Sequence, residues 1–181
     1  MPPTPLRYAG TVLLRSLAVA GLGGTCALAS AFDASIAEPG FTLSVPALPA
    51  IQLAEQAASP ARATRHFDGG DGTYSVSVDV ARADRSITTR ECAGSLLRSL
   101  VARPGMPARD SIYRAPLNER AFLVIYVLDG QAGPVLHAHL FASAASTHCV
   151  DAHFSRAKRA GEDEDDWRQS FLGSSIVERA R

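Results

Sequence analysis

Eight consecutive apolar residues, Ala-Phe-Leu-Val-Ile-Tyr-Val-Leu, occupy positions 121–128 of the 181-residue chain. Side chains on a β-strand point alternately to its two faces, so a strand without a polar face must be buried on both sides. The segment therefore predicts the central strand of a sheet that carries other structure on each face. A sheet with one fully solvated face does not satisfy this requirement.

Two helices are predicted to supply that cover. Thr88 and Glu91 form a capping box, and the apolar residues that follow recur at helical spacing, which predicts a helix over residues 88–102. The acidic run at residues 162–166, followed by apolar residues through Val177, predicts a C-terminal helix. Residues 32–40 are predicted to be a polar lead-in. The fold class expected is α+β: an antiparallel β-sheet with helices packed on both faces and one disulfide.

The N-terminal segment has the layout of a secretory signal. It contains Arg7 and Arg15 but no acidic residue, then an apolar stretch, and it ends in small-x-small patterns at Ala29 and Ala31. We therefore predict a cleavable signal peptide over residues 1–31 and a single domain over residues 32–181, located in the periplasm or secreted, with no stable membrane anchor after cleavage. Which of the two alanines precedes the cut stays open.

The charge balance excludes some partners. The chain holds 18 Lys and Arg against 18 Asp and Glu, so removal of Arg7 and Arg15 leaves 16 basic residues and a net charge of −2. A nucleic-acid-binding domain normally carries a basic excess, and docking on an anionic membrane needs one as well. We therefore expect neither of these partners.

Two cysteines, Cys92 and Cys149, lie in the predicted domain. In an oxidising compartment such a pair usually forms a disulfide, and we predict that bond. The alternative is a reactive thiol at Cys149 assisted by His148. Neighbours on a strand point to opposite faces, which disfavours this dyad.

Histidines on the later strands suggest a metal site. His137 and His139 share one face of a predicted strand, and Asp151 and His153 share a face of the next. If these strands are adjacent, the four side chains offer nitrogen and oxygen ligands that suit zinc. The alternative is an ordinary polar sheet face. No nucleophile, cofactor or metalloprotease motif is present, so no catalytic residue and no cofactor are predicted.

The element order over residues 41–178, together with the segment Gly-Phe-Thr-Leu-Ser-Val-Pro at 40–46, resembles the PsbP/Mog1-like group of secreted and accessory domains. This resemblance implies helices on both faces of an antiparallel sheet and a binding or accessory role.

The predicted function is that of an exported, non-catalytic protein that binds a protein partner. One alternative is an immunity protein that neutralises a toxin delivered into the periplasm. Another is a metal-binding protein or metal-dependent enzyme that uses His137 and His139. The candidate partner contacts are the acidic run Glu162, Asp163, Glu164, Asp165 and Asp166, which has a satisfactory structural explanation as the start of a helix.

Overall fold

The computed structural model describes residues 31–57 and 64–179. The predicted signal peptide therefore lies outside the described residues, apart from Ala31. The strands are β1 (Ala31–Ile36), β2 (Phe41–Pro49), β3 (Ala54–Glu55), β4 (Thr64–Gly70), β5 (Ser75–Arg82), β6 (Tyr113–Asn118), β7 (Ala121–Gly130), β8 (Gly133–Ala144), β9 (His148–Ala157) and β10 (Ser175–Glu178). The helices are α1 (Thr89–Val101) and α2 (Glu164–Gln169), with a short 3-10 turn at Arg109–Ser111.

The strands form two antiparallel sheets. The larger sheet has the order β3-β4-β5-β9-β8-β7-β6, and the smaller one has the order β1-β2-β10. The long hairpins β7–β8 and β8–β9 contribute three neighbouring strands of the larger sheet. No helix among the described residues is long and apolar enough to cross a membrane.

The main core lies between the two sheets. The larger sheet contributes alternate residues of its strands, among them Val78, Leu140 and Phe154, which are fully buried. The smaller sheet contributes the alternate residues Phe32, Phe41, Leu43 and Val45, and the region of α2 adds Trp167 and Phe171. This face is closed mainly by strands, with α2 at one side.

A second core lies on the other face of the larger sheet, beneath α1. The helix starts with the predicted capping box, in which the Thr88 hydroxyl accepts from the Glu91 amide and the Glu91 carboxylate accepts from the Thr88 amide. Ala93 and Leu100 of α1 pack on Val124, Tyr126 and Phe141 of the sheet. The predicted disulfide between Cys92 and Cys149 is present, with a Cα–Cα distance of 5.5 Å, and it ties α1 to β9.

The predicted fold class, α+β with helices packed on both faces of an antiparallel sheet, is wrong. Strands hold 52% of the described residues and helices 15%, so the fold is mostly β, and helices do not cover both faces. The predicted C-terminal helix ends at Gln169, and the chain then forms β10, in which Ile176 is buried and Val177 is exposed. The predicted lead-in is strand β1, in which Phe32, Ala34 and Ile36 alternate into the core.

The apolar strand β7 is buried on both faces as predicted, but it is not central. Leu123 and Ile125 enter the core between the sheets, whereas Val124 and Tyr126 enter the core beneath α1. The middle strand of the larger sheet is β9, and β7 lies next to the edge strand β6. A strand that is apolar at every position indicates that both faces of the sheet are covered there. It does not indicate how far the strand lies from the edge of the sheet.

Candidate functional site

Five polar side chains form a cluster on the α1 face of the larger sheet. The register places Tyr126 of β7 opposite His137 of β8, and His139 of β8 opposite His153 of β9. Asp151 lies two residues before His153 on the same face of β9. The four residues predicted as a possible metal site therefore do come together. Tyr126 is the member that sequence reasoning missed, because it sits within the all-apolar run.

Hydrogen bonds join the centre of this polar cluster. The His139 Nδ1 atom lies 2.7 Å from Asp151 Oδ1, and its Nε2 atom lies 3.0 Å from the Tyr126 hydroxyl. In the neutral imidazole, Nδ1 donates its hydrogen to the Asp151 carboxylate, and Nε2 then accepts from the Tyr126 hydroxyl. Both nitrogens of His139 are therefore engaged within the protein.

The two outer histidines share one hydrogen bond and stack. His137 Nδ1 lies 2.9 Å from His153 Nε2, and their rings are nearly parallel with centroids 5.2 Å apart. Burial, reinforced by the neighbouring His139, lowers the pKa of His137 to about 4. Burial, with His139, His137 and Arg103 nearby, lowers the pKa of His153 to about 3. Both rings are therefore neutral at pH 7.

The order Tyr126–His139–Asp151 has the layout of a nucleophile, a base and an orienting carboxylate. Its burial opposes that use, because His139 is 2% exposed and Tyr126 is 4% exposed. Burial also raises the pKa of Tyr126 to about 12, which keeps its hydroxyl protonated. The network therefore satisfies polar groups within the core and positions neighbouring strands.

The cluster does not have the geometry of a metal centre. His139 has no free nitrogen, and one nitrogen each of His137 and His153 is used in their mutual hydrogen bond. Within residues 31–57 and 64–179, no group of three or more His, Cys, Asp or Glu side chains is arranged to hold a metal ion. The arrangement favours a hydrogen-bonded network over the predicted zinc site.

The predicted acidic contact run has intramolecular roles. Glu162 forms an ion pair with the largely buried Arg156, and Asp163 caps the start of α2. Glu164 pairs with Lys158, and Asp165 pairs with Arg168. These contacts match the helix-start explanation, while a role in partner binding stays a prediction.

An apolar groove beside α1 is a site that sequence reasoning missed. It lies between α1 and the β6–β7 edge of the larger sheet and has a volume of about 590 Å³. The walls are mostly small or apolar: Ala93, Gly94 and Leu97 from α1, and Pro116, Ala121 and Phe122 from the two strands. Phe122 and Leu97 are only half-buried, because α1 packs mainly over β8 and leaves this part of the sheet uncovered. We refer to it below as the α1 groove.

Three arginines lie in or near the α1 groove. Arg90 lines it, and the Arg98 guanidinium lies above Gly94. Arg114 shares the sheet face of Pro116, since the two pair with Val124 and Phe122 of β7. All three are exposed, and none forms an ion pair with a carboxylate of the described residues. Glu119 is the acidic residue in the lining. The rim of the groove is therefore positively charged.

Gly94 occupies the interior of α1, where glycine is a poor choice. Its backbone is helical and does not require positive φ. A β-carbon built on it meets only the tip of the Arg98 side chain, at 3.6 Å, once the helix backbone is set aside. Neither conformation nor packing within the chain explains this glycine. A glycine inside a predicted helix and seven arginines between residues 85 and 120 are the sequence features from which this surface could have been suspected.

We expect the Gly94→Ala variant to be more stable than the wild type. Alanine lowers the backbone entropy cost of the helix, and the new methyl group has room, so the free energy of unfolding should rise by roughly 0.5–1 kcal/mol. Urea denaturation followed by far-UV circular dichroism measures this difference. An unchanged or lower stability would show that Gly94 has a role inside the fold.

Solved structures of other proteins are similar to this chain in fold. No protein-family model and no curated protein matches the chain. A crystal structure from Bacteroides thetaiotaomicron is similar, with 10% identity, a TM-score of 0.46, and coverage of 85% of this chain and 50% of the other. This chain thus spans about half the length of that protein.

Two Mog1 structures are also similar. A mutant of protein Mog1 has 11% identity and a TM-score of 0.46, and the Saccharomyces cerevisiae Ran-binding protein Mog1p has 13% identity and a TM-score of 0.42. Each match covers 78% of this chain and 84% of the other. The Mog1 part of the resemblance predicted from element order is confirmed as a weak likeness in fold, and the PsbP part stays a prediction.

Proposed function

We propose that this protein is an exported, non-catalytic domain that binds an acidic segment of another protein in the α1 groove. The observation that carries the proposal is the pairing of a half-exposed apolar surface with a rim of arginines that have no ion-pair partner in the described residues. Apolar surface left open and ringed by polar groups is typical of interaction sites. The groups best suited to chemistry, in contrast, are engaged with one another in the polar cluster.

Charge complementarity specifies the partner. Arg90, Arg98 and Arg114 outweigh Glu119 around the groove, so an acidic segment is attracted and a basic one is repelled. Phe122 and Leu97 provide the apolar centre, and aromatic residues and arginine are the types most enriched at the energetic centres of interfaces. An immunity protein that captures a delivered toxin is one form of this function, and identification of the partner distinguishes it from an accessory subunit.

Export is part of the proposal. It is supported by the signal-like composition of residues 1–31 and by the Cys92–Cys149 disulfide, which belongs to an oxidising compartment. Cleavage after Ala29 or after Ala31 retains Phe32, which is fully buried in the core.

We expect protein purified from the exported fraction of its source to begin at Ser30 or Phe32. Intact-mass spectrometry under non-reducing conditions measures this start and detects the disulfide in one experiment. A mass that includes Met1 or Cys26 would contradict the proposed processing.

We expect the double substitution Arg90→Glu/Arg98→Glu to weaken partner binding by about tenfold or more, because it reverses the charge at the rim. Wild-type protein is used to capture partners from the exported fraction, and each captured protein is identified, purified and titrated by calorimetry. The matched control is Asp165→Ser/Asp166→Ser, which alters exposed charge on α2 and leaves the groove intact.

The possible outcomes distinguish binding in the α1 groove from binding at the acidic run of residues 162–166. A purified partner that binds the control variant like the wild type, and the arginine variant about tenfold more weakly, supports the groove. Partners that bind the arginine variant as tightly as the wild type would contradict it, and selective loss in the α2 variant would instead place the contact at the acidic run.

A further inference from the structure

We infer that the segment bound in the α1 groove is an amphipathic helix that crosses α1 at Gly94 and carries acidic residues on its flanks. This inference rests on the proposed function and adds the form of the partner to it. Three features of the groove carry it: its position on a sheet face, the interrupted edge of β6, and the glycine on α1.

The α1 groove lies on the face of the larger sheet, alongside α1. The helix covers the central strands, and the surface over Phe122 and Pro116 next to it stays open. A second helix laid beside α1 would cover Phe122 on the sheet and Leu97 on α1 together. Helices that pack in this way have axes roughly 8–10 Å apart, with the distance set by the side chains at the contact.

An added strand fits this region less well. The edge strand β6 contains Pro116, which has no amide hydrogen to donate, and its pairing with β7 is irregular between Pro116 and Asn118. Proline and bulges are the devices that protect sheet edges against pairing with another chain. The partner segment is therefore placed on the face of the sheet, not along its edge.

Gly94 provides the point of closest approach. Ala93 and Gly94 line the groove side by side, and the tip of the flexible Arg98 side chain is the described group nearest to the missing side chain of Gly94, so an approaching backbone has only this tip to displace. Glycine in a helix lets another backbone approach closely, a use that offsets its cost to helix stability. A helix that crosses α1 here gains contact that any larger residue at position 94 would block.

The arginines define the flanks of the bound helix. Arg90 and Arg98 are eight residues apart on α1, or about 12 Å along its axis. Arg90 lies four residues before Gly94, and the Arg98 guanidinium lies over Gly94, so a helix packed at Gly94 meets positive charge from both arginines. Acidic residues about two turns apart, with small or apolar residues between them, complement this arrangement.

The test uses two synthetic helix-stabilised peptides of the same length with a Leu/Ala face, one flanked by Glu and one by Lys, titrated into the isotopically labelled mature protein. We expect the Glu peptide to shift the amide resonances of Gly94, Leu97 and Phe122 and to bind at least tenfold more tightly than the Lys peptide. The Gly94→Leu variant should lose this binding, while Ser99→Leu, an exposed change elsewhere on α1, should retain it.

Several results would overturn the inference. These are equal binding of the two peptides, no binding of either, shifts that map outside the groove, or undiminished binding to the Gly94→Leu variant. If the captured partner still depends on Arg90 and Arg98, the proposed function stands and only the helical form of the ligand is wrong. If no partner depends on these arginines, the proposed function itself fails.

Discussion

Replacing both Cys92 and Cys149 with alanine should lower the free energy of unfolding by roughly 4 kcal/mol. The bond closes a loop with a sequence separation of 57 residues, and the chain-entropy model assigns about this value to a loop of that length. Cys92 is fully buried on α1, so the bond also holds the helix against β9. Since α1 forms one wall of the groove, we expect partner binding to weaken as well.

Urea denaturation of the oxidised wild type and of the double alanine variant measures this loss. The Ser99→Ala variant serves as the control, because Ser99 is exposed on the same helix. Reduced wild-type protein should show a similar loss. A difference below about 1 kcal/mol would mean that the bond contributes little to the fold.

Lowering the pH from 7 to 5 should destabilise the protein by on the order of 2–3 kcal/mol through His137 and His153, after a discount for their partial exposure. Their pKa values in the folded protein are lowered to about 4 and about 3, whereas the ordinary value is 6.5. Between these values the unfolded chain binds more protons than the folded one. The stabilisation is therefore present above pH 6.5 and is lost as the pH falls to about 4 for His137 and to about 3 for His153.

Burial is the main reason why protonation of His137 and His153 is unfavourable, and nearby positive charge adds to it. His137 and His153 stack on each other and on His139 or Tyr126, and Arg103 adds positive charge near His153. We expect the double variant His137→Gln/His153→Gln to have a clearly smaller change in unfolding free energy between pH 7 and 5. Urea denaturation at both pH values tests this, and an unchanged pH dependence would contradict the assignment.

Features with a local cause were predictable from the sequence. The capping box fixes the start of α1, the all-apolar segment fixes the double burial of β7, and the two cysteines fix the disulfide. The convergence of His137, His139, Asp151 and His153 followed from the period of two along adjacent strands. Their chemistry did not follow, because it depends on which nitrogen bonds to which partner.

The second sheet was missed because β1 and β10 are short and come from opposite ends of the described chain. In β1, only Phe32, Ala34 and Ile36 carry the alternation, and in β10 Ile176 is the buried position. The pair Trp167 and Phe171 has helical spacing, which favoured extending the helix through Val177. Only the pairing of both segments with β2 settles their conformation, and that contact is not local.

The α1 groove was missed for a related reason. Sequence periodicity identifies the face of α1 that is buried, yet it does not show how far the sheet extends beyond the helix. Gly94 and the arginines were visible as residues, but their meaning depends on the uncovered surface at Phe122 and Pro116. In other chains, a glycine inside a helix that neither backbone conformation nor packing explains can be used in the same way to look for a binding surface.

Photo-crosslinking from the α1 groove is the most direct measurement of whether a partner binds there. Two proteins are compared. In the first, a photoreactive residue replaces Glu119, which is exposed in the groove lining, and in the second, the control, it replaces Asp129, which is exposed at the far end of β7. After irradiation in the exported fraction, we expect one dominant adduct from position 119 that disappears in the Arg90→Glu/Arg98→Glu background, and no such adduct from position 129. Equal adducts from both positions, or an adduct from position 119 that persists after charge reversal, would contradict the claim that the α1 groove binds an acidic partner.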